Sequence, residues 1–283
     1  MDVSFSPYFP KNFQTSVPIV LLAGRGDYPR LVWERMEKLC PNARIFSFEP
    51  EQSEWLQTVP AEKREIFEIG QIGTWLKALR QCGAKYVLLA GQIRPKKLFH
   101  GLKPDLKALL LLSRLKEKNA TTVFGTLLAE IENLGIEILD ARCFMEEHIT
   151  TAGLLTQKDY FSVASETLQH GIRICRGIAA LDIGQSVVVR NGTTLLVEGF
   201  DGTDVLIERA ASICKDGMGL VKAAKATQDF RFDVPVFGLR TLQKMHASNI
   251  RWAALESGRT IILDKKSVLA EADRLKITVF GFE

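Results

Sequence analysis

The run Pro18–Ala23, followed by Gly24-Arg25-Gly26-Asp27-Tyr28-Pro29, constrains the fold more than any other part of the chain. It is short, rich in Val, Ile and Leu, and bounded by glycines, the pattern of a strand buried on both faces. A helix is expected directly after it. Asp27 suits its N-cap and Pro29 its first turn, and Val32, Met36 and Leu39 share one face before Pro41 stops the run. The unit is strand, tight loop, helix, and the pattern continues. Strands are predicted at Ala43–Phe48, Glu65–Ile69 and Lys85–Ala90, with a helix at Thr74–Gln81 ended by Gly83. Alternation of this kind implies a parallel sheet. Helices at 105–118 and 121–133 and a strand at Ile136–Leu139 complete a first domain of Rossmann-like type over residues 17–150.

The texture then changes. Thr150-Thr151-Ala152-Gly153 is small and polar, as a hinge would be, and opens a second domain over 151–283. Asp159–Leu181 reads as a helix. Gln185–Arg190 and Thr193–Glu198 flank Asn191-Gly192, a strong short-range hairpin signal. A strand at Leu220–Ala223, a helix near 240–248, apolar runs at Trp252–Leu255 and Thr260–Leu263, a helix at 267–275 and a strand at Thr278–Phe280 follow. The expected class is α/β: a parallel-sheet domain, then an α/β domain with a mixed sheet. Residues 1–16 carry Pro7 and Pro10 without periodicity and read as a leader with little order.

A chain of 283 residues with 46% hydrophobic content can bury two cores. No run approaches the roughly 20 apolar residues that span a bilayer, and no basic region precedes an apolar core at the N-terminus, so a cytoplasmic location is expected. Cys40, Cys82, Cys143, Cys175 and Cys214 stand singly, without the paired spacing of a zinc site. A net charge of +4, spread along the chain, gives no argument for nucleic acid and suits an anionic ligand.

Residues 222–233 alternate cations with carboxylates: Lys222, Lys225, Asp229, Arg231, Asp233. Cations hold phosphate oxygens, and acids hold a divalent metal or orient water, the requirements of phosphoanhydride cleavage. A solvated loop with accidental pairs is the plainer reading. Glu198, Asp201, Thr203 and Asp204 invite two readings as well: helix capping, and a shell of acids larger than a cap needs. The loops at Gly24-Arg25-Gly26, Gly70-Gln71-Ile72-Gly73 and Gly91-Gln92-Ile93-Arg94-Pro95 end three strands, where an open parallel sheet binds ligands. Each is equally a plain turn. The third glycine of a dinucleotide fingerprint is missing, since Pro29 stands near its place, which weakens an NAD reading. The four histidines are isolated and take no role. The leucines of 106–115 suit acyl chains, although such a helix is more often core.

Four segments recur together in one family: Val20–Leu31, Gly199-Phe200-Asp201-Gly202-Thr203-Asp204, Lys222–Gly238, and Ile262-Leu263-Asp264 before a helix. Over residues 17–283 the chain resembles the LpxI-type UDP-2,3-diacylglucosamine pyrophosphatases of lipid A biosynthesis. The resemblance implies water attack on the sugar-linked phosphorus, giving UMP and 2,3-diacylglucosamine 1-phosphate. It also implies a Mg²⁺-type ion, a homodimer and contact with the inner membrane surface. Asp233, in Phe232-Asp233-Val234-Pro235, matches the family's aspartate and is expected to ligate metal or activate water. Asp229, Lys222, Lys225 and Arg231 complete the expected catalytic set, and Glu198 and Asp204 join Asp233 as expected metal ligands. Expected substrate contacts are Gly24, Gly26, Asp27, Gly70, Gly91, Gln92, Arg94, Thr203 and Gln228, with UDP at the glycine loops. The family often has proline where Ala224 and Ala226-Thr227 stand, which loosens the expected loop geometry. The alternatives are another nucleotide-sugar enzyme and a binding-only regulator.

Overall fold

A computed structural model describes residues 6–93, 104–115 and 120–283. Contacts divide the chain into two units, the first running to Phe144 and including Phe230–Phe232, the second formed by Met145–Asp229 and Asp233–Glu283. The strands and helices expected from the sequence are present in both, except that the helix expected from Asp159 begins only at Ser165, and residues 116–118 of the helix expected over 105–118 lie outside the described residues.

In the first unit, β1 (Ile19–Ala23), β2 (Ala43–Glu49), β3 (Arg64–Glu68), β4 (Tyr86–Ala90) and β5 (Glu137–Ile138) form one sheet in the order β3-β2-β1-β4-β5. Every pairing is parallel. Strands β1 and β4 are buried along their whole length, as their unbroken apolar sequence requires. Helices α1 (Tyr28–Leu39), α2 (Ile72–Gln81), α3 (Leu106–Arg114) and α4 (Ala120–Glu132) complete the unit. One core joins Val20, Phe46 and Val87 of the sheet to Trp75 and Leu79 of α2 and Leu128 and Ile131 of α4.

Three expectations change here. Residues 6–16 are packed rather than loose: Phe9 is buried, with its ring 4.5 Å from Phe13 and 4.9 Å from Phe144, and Phe13 lies 4.9 Å from Tyr86. Irregular backbone shows no period, so these aromatics gave no signal of burial. Asp27 stands at the N-cap of α1 but makes no side-chain cap bond and pairs with Arg30 instead. On α3 only Ala108 and Leu111 are buried, while Leu106, Leu109 and Leu110 are exposed, so the helix is amphipathic rather than simple core.

In the second unit, β6 (Gly153–Leu154), β7 (Ser186–Arg190), β8 (Thr193–Val197), β9 (Met218–Lys222), β11 (Ile250–Glu256) and β13 (Thr278–Phe282) form a mixed sheet ordered β6-β13-β11-β9-β7-β8. The strands β9, β11 and β13 run parallel, with antiparallel partners at both flanks. Short strands β10 (Val236–Phe237) and β12 (Ile261–Ile262) pair separately. Side chains alternate between two cores. Leu220, Ala253, Leu255 and Val279 face α6 (Gly202–Ile213), α7 (Leu239–Ala247) and α8 (Lys265–Leu275), whereas Val221, Trp252 and Ala254 face α5 (Ser165–Ala180). Between Trp252 of β11 and its register partner on β9 there is no room for a side chain. A Cβ on Gly219 would lie 1.9 Å from the Trp252 indole.

Candidate functional site

At the carboxyl edge of the first unit's sheet, the glycine loops are held by one another. Gly24 N donates to Ala90 O at 2.8 Å, and Arg25 and Gln92 exchange main-chain bonds of 2.9 and 3.0 Å. A Cβ on Gly24 would meet Gln92 O at 2.6 Å, and one on Gly91, whose φ is +93°, would meet Arg25 O at 2.8 Å. Both positions therefore require glycine for loop-to-loop approach, at the point where the strand order reverses between β1 and β4. Gly26 differs: its φ is +101°, nothing crowds it, and its N–H bonds Ser53 Oγ at 3.1 Å. The loop at Gly70 leads into α2, whose first turn is occupied by a protein carboxylate. Asp105 Oδ2 accepts from Gly73 N at 2.7 Å and its Oδ1 from Ala108 N at 2.8 Å, so one aspartate caps α2 and α3 together. A phosphate at the α2 terminus would have to displace it. Arg94 lies outside the described residues.

Asp182, Glu198, Lys222, Lys225, Asp233, Glu256 and Arg259 belong to one connected network in the second unit. Lys222 is the last residue of β9, not a loop residue, and it is 7% exposed. It is the one buried cation among the described residues. Its Nζ donates to Thr203 Oγ1 at 3.1 Å and Ser186 Oγ at 3.3 Å, and among the described residues it pairs with no carboxylate. Thr203 passes the contact on, donating to Glu198 Oε1 at 2.9 Å. Gln185 N donates to Glu198 Oε2 at 3.3 Å, and Gln185 Nε2 lies 3.3 Å from Gln228 Oε1 and 3.4 Å from Asp233 Oδ2. Gln228 Nε2 donates to Asp233 O at 2.9 Å and to Asp233 Oδ2. Lys225 Nζ is paired with Asp182.

A second carboxylate fixes the start of the loop. Glu256, at the end of β11, accepts from Ala224 N at 2.8 Å and pairs with Arg176 and Arg259 at 3.3 Å each, while Arg259 also holds Lys225 O. Buried Cys175 borders the Lys222 ammonium, and burial pushes its thiol up to about 12.

Sequence reasoning joined several residues that the structure separates. The capping expected among Glu198, Asp201, Thr203 and Asp204 is not made by Asp201, the N-cap of α6, which pairs with Arg209. Asp204 is bound by Arg240 at 2.8 Å and Lys244 at 3.2 Å. Arg231 pairs with Glu132 at 2.7 Å within the first unit, where Phe230 stacks on Arg142 at 3.8 Å and Phe232 on Phe124 at 5.4 Å. Asp229 holds Asp233 N through its main-chain oxygen at 3.1 Å. Asp233, Glu198 and Asp204 do not converge as a three-carboxylate cage, and no group of three potential ligands does so among the described residues. With two cations on Asp204, that side chain does not fit a metal site. Gln185, Ser186, Glu256 and Arg259 had no sequence signal beyond being polar at strand ends, because only long-range pairing brings them in.

Both halves of the chain match family descriptions: residues 18–148 the LpxI N-terminal domain and residues 151–280 the LpxI C-terminal domain. The chain is also 32% identical over 227 residues to a Caulobacter vibrioides protein described as UDP-2,3-diacylglucosamine pyrophosphatase LpxI, covering 76% of this chain and 80% of that one. The two matched domains together cover nearly the whole length, and the chain belongs to the LpxI family.

Proposed function

We propose that the protein hydrolyses the pyrophosphate of UDP-2,3-diacylglucosamine, releasing UMP and 2,3-diacylglucosamine 1-phosphate. The observation that carries this reading is Lys222. A buried ammonium whose hydrogen-bond partners are two hydroxyls has no counter-ion among the described residues, a cost that a bound anion would offset. A diphosphate supplies that anion. As the bridging P–O bond breaks, negative charge grows on the departing phosphate, and a cation already fixed and desolvated lowers that barrier without reorganising. Asp233 is the base or water-orienting group in this reading, with Gln228 holding its main chain and one carboxylate oxygen. Lys225 is the second counter-charge on exchanging Asp182 for substrate. UDP is assigned to the glycine edge of the first unit, where Gly26 leaves open space.

A Mg²⁺-type requirement is proposed on the family resemblance alone. Asp233 is the donor we favour, and a bound ion would polarise a phosphoryl oxygen there; among the described residues Glu198 and Asp204 do not join it as a cage. A diacylated substrate resides in a bilayer, so the protein is proposed to work at the inner membrane surface from the cytoplasm, as a homodimer. Among the described residues no helix is long and apolar enough to cross a membrane.

The test is incubation of the purified chain with UDP-2,3-diacylglucosamine in ¹⁸O-water, with and without Mg²⁺. UMP should form, and the label should appear in the lipid phosphate. Absence of UMP under both conditions rejects hydrolysis, and label in UMP rejects attack at the sugar-linked phosphorus.

A further inference from the structure

We infer that Gln185 is a positioning residue for Asp233, deciding which oxygen of that carboxylate is left for the reaction. The inference rests on the hydrolase reading above, and three linked contacts carry it. First, Lys225 N is a main-chain donor and can only donate; it bonds Gln228 Oε1 at 3.1 Å. That bond settles which end of the Gln228 amide is oxygen and turns Nε2 toward Asp233. Second, Gln185 then faces two acceptors, Gln228 Oε1 and Asp233 Oδ2, so its own nitrogen must point to them. Its amide nitrogen carries two hydrogens, one for each acceptor, at 3.3 and 3.4 Å. Third, both amides converge on Oδ2, which leaves Oδ1 outside these bonds and available to water or a phosphoryl group.

The backbone of Gln185 explains why it can do this. Its N–H holds Glu198 Oε2 at 3.3 Å, and its carbonyl accepts from Ala223 N at 3.0 Å, so the residue is pinned between the end of β8 and the end of β9. The approach of this backbone to Glu198 needs Gly184, where a Cβ would stand 2.4 Å from Glu198 O. Gln185 thereby touches both halves of the network: the Lys222–Thr203–Glu198 chain through its main chain, and Asp233 through its amide.

Two near-isosteric variants of the full-length chain test this. Gln185→Met keeps length and bulk but removes the donor, and Gln185→Glu keeps the reach but sets a carboxylate against Oδ2. Steady-state rates are read with UDP-2,3-diacylglucosamine in mixed micelles. Each variant should lower kcat about 10- to 100-fold, the loss expected for one hydrogen bond to a charged group, while KM changes by less than about threefold. In an Asp233→Asn background, Gln185→Met should change the residual rate by less than about twofold, because the group it positions is already gone. An unaltered kcat in both single variants overturns the inference, as does a loss of equal size with and without Asp233. An inactive wild-type chain would sink the hydrolase reading and this one together; an active wild type with unaffected Gln185 variants sinks this one alone.

Discussion

Replacing Lys222 with methionine separates a structural role from a functional one, because the two roles predict opposite balances of stability and rate. Methionine keeps an unbranched stem of similar length and fills the same space. Two hydrogen bonds from a charged donor are lost, each contributing about 1.5–3 kcal/mol. Against that stands removal of a desolvated ammonium, whose burial costs several kcal/mol in a real protein. The hydroxyls left behind are not stranded: Thr203 Oγ1 keeps Glu198 at 2.9 Å, and Ser186 Oγ lies 3.3 Å from Thr203 Oγ1. The opposing contributions are of similar size, so unfolding free energy should change by no more than about 1 kcal/mol. Loss of a fixed charge facing the leaving phosphate should instead lower kcat by about 100- to 1000-fold, some 2.7–4 kcal/mol of transition-state stabilisation. Urea unfolding and UMP release, measured on the same preparation, check both numbers. A variant destabilised by more than about 3 kcal/mol that still turns over at the wild-type rate would refute the reasoning and make Lys222 an anchor of β9.

Other perturbations probe the surrounding frame. Gly219→Ala places a methyl 1.9 Å from the buried Trp252 indole, and overpacking of this severity should cost at least about 2 kcal/mol, visible as a lower urea midpoint. Asp105→Ala removes caps from α2 and α3 and should destabilise by about 1–3 kcal/mol; Asp105→Asn keeps one acceptor oxygen, so it can restore at most one of the two caps, and full recovery by asparagine would argue against the shared cap. Cys175, pushed up to about 12 by burial, should resist Ellman's reagent at pH 8 in the folded chain and react once denatured. Its folded value exceeds the unfolded one, so its contribution to stability is complete below about pH 9 and is lost as pH rises toward 12, a decline that should be shallower in Cys175→Ala, where Cys40, pushed up to about 11 by burial, still contributes.

The parallel sheet was legible from sequence because its signal is local. Unbroken apolar runs such as 19–23 and 86–90 have few other uses, and alternation with helices fixes their direction. The hairpin around Asn191-Gly192 was legible for the same reason: two residues specify the turn, and β7 and β8 pair as that turn demands. The packing of residues 6–16 and the split face of α3 were not, since irregular backbone has no period and a leucine run does not say which side meets a neighbour.

The site divides along the same line. Residue types and their order settled the family, the place of glycine at the β1 and β4 ends, and the presence of cations and acids after β9. Which of those charges work together was decided by pairing across distant segments. Asp204 and Arg231, close in sequence to the network, are drawn off by Arg240, Lys244 and Glu132, while Gln185 enters it from 48 positions before Asp233. A charge is attracted by whatever opposite charge the folded chain brings within a few ångströms, and that distance is a property of the sheet order, which spacing along the chain does not contain.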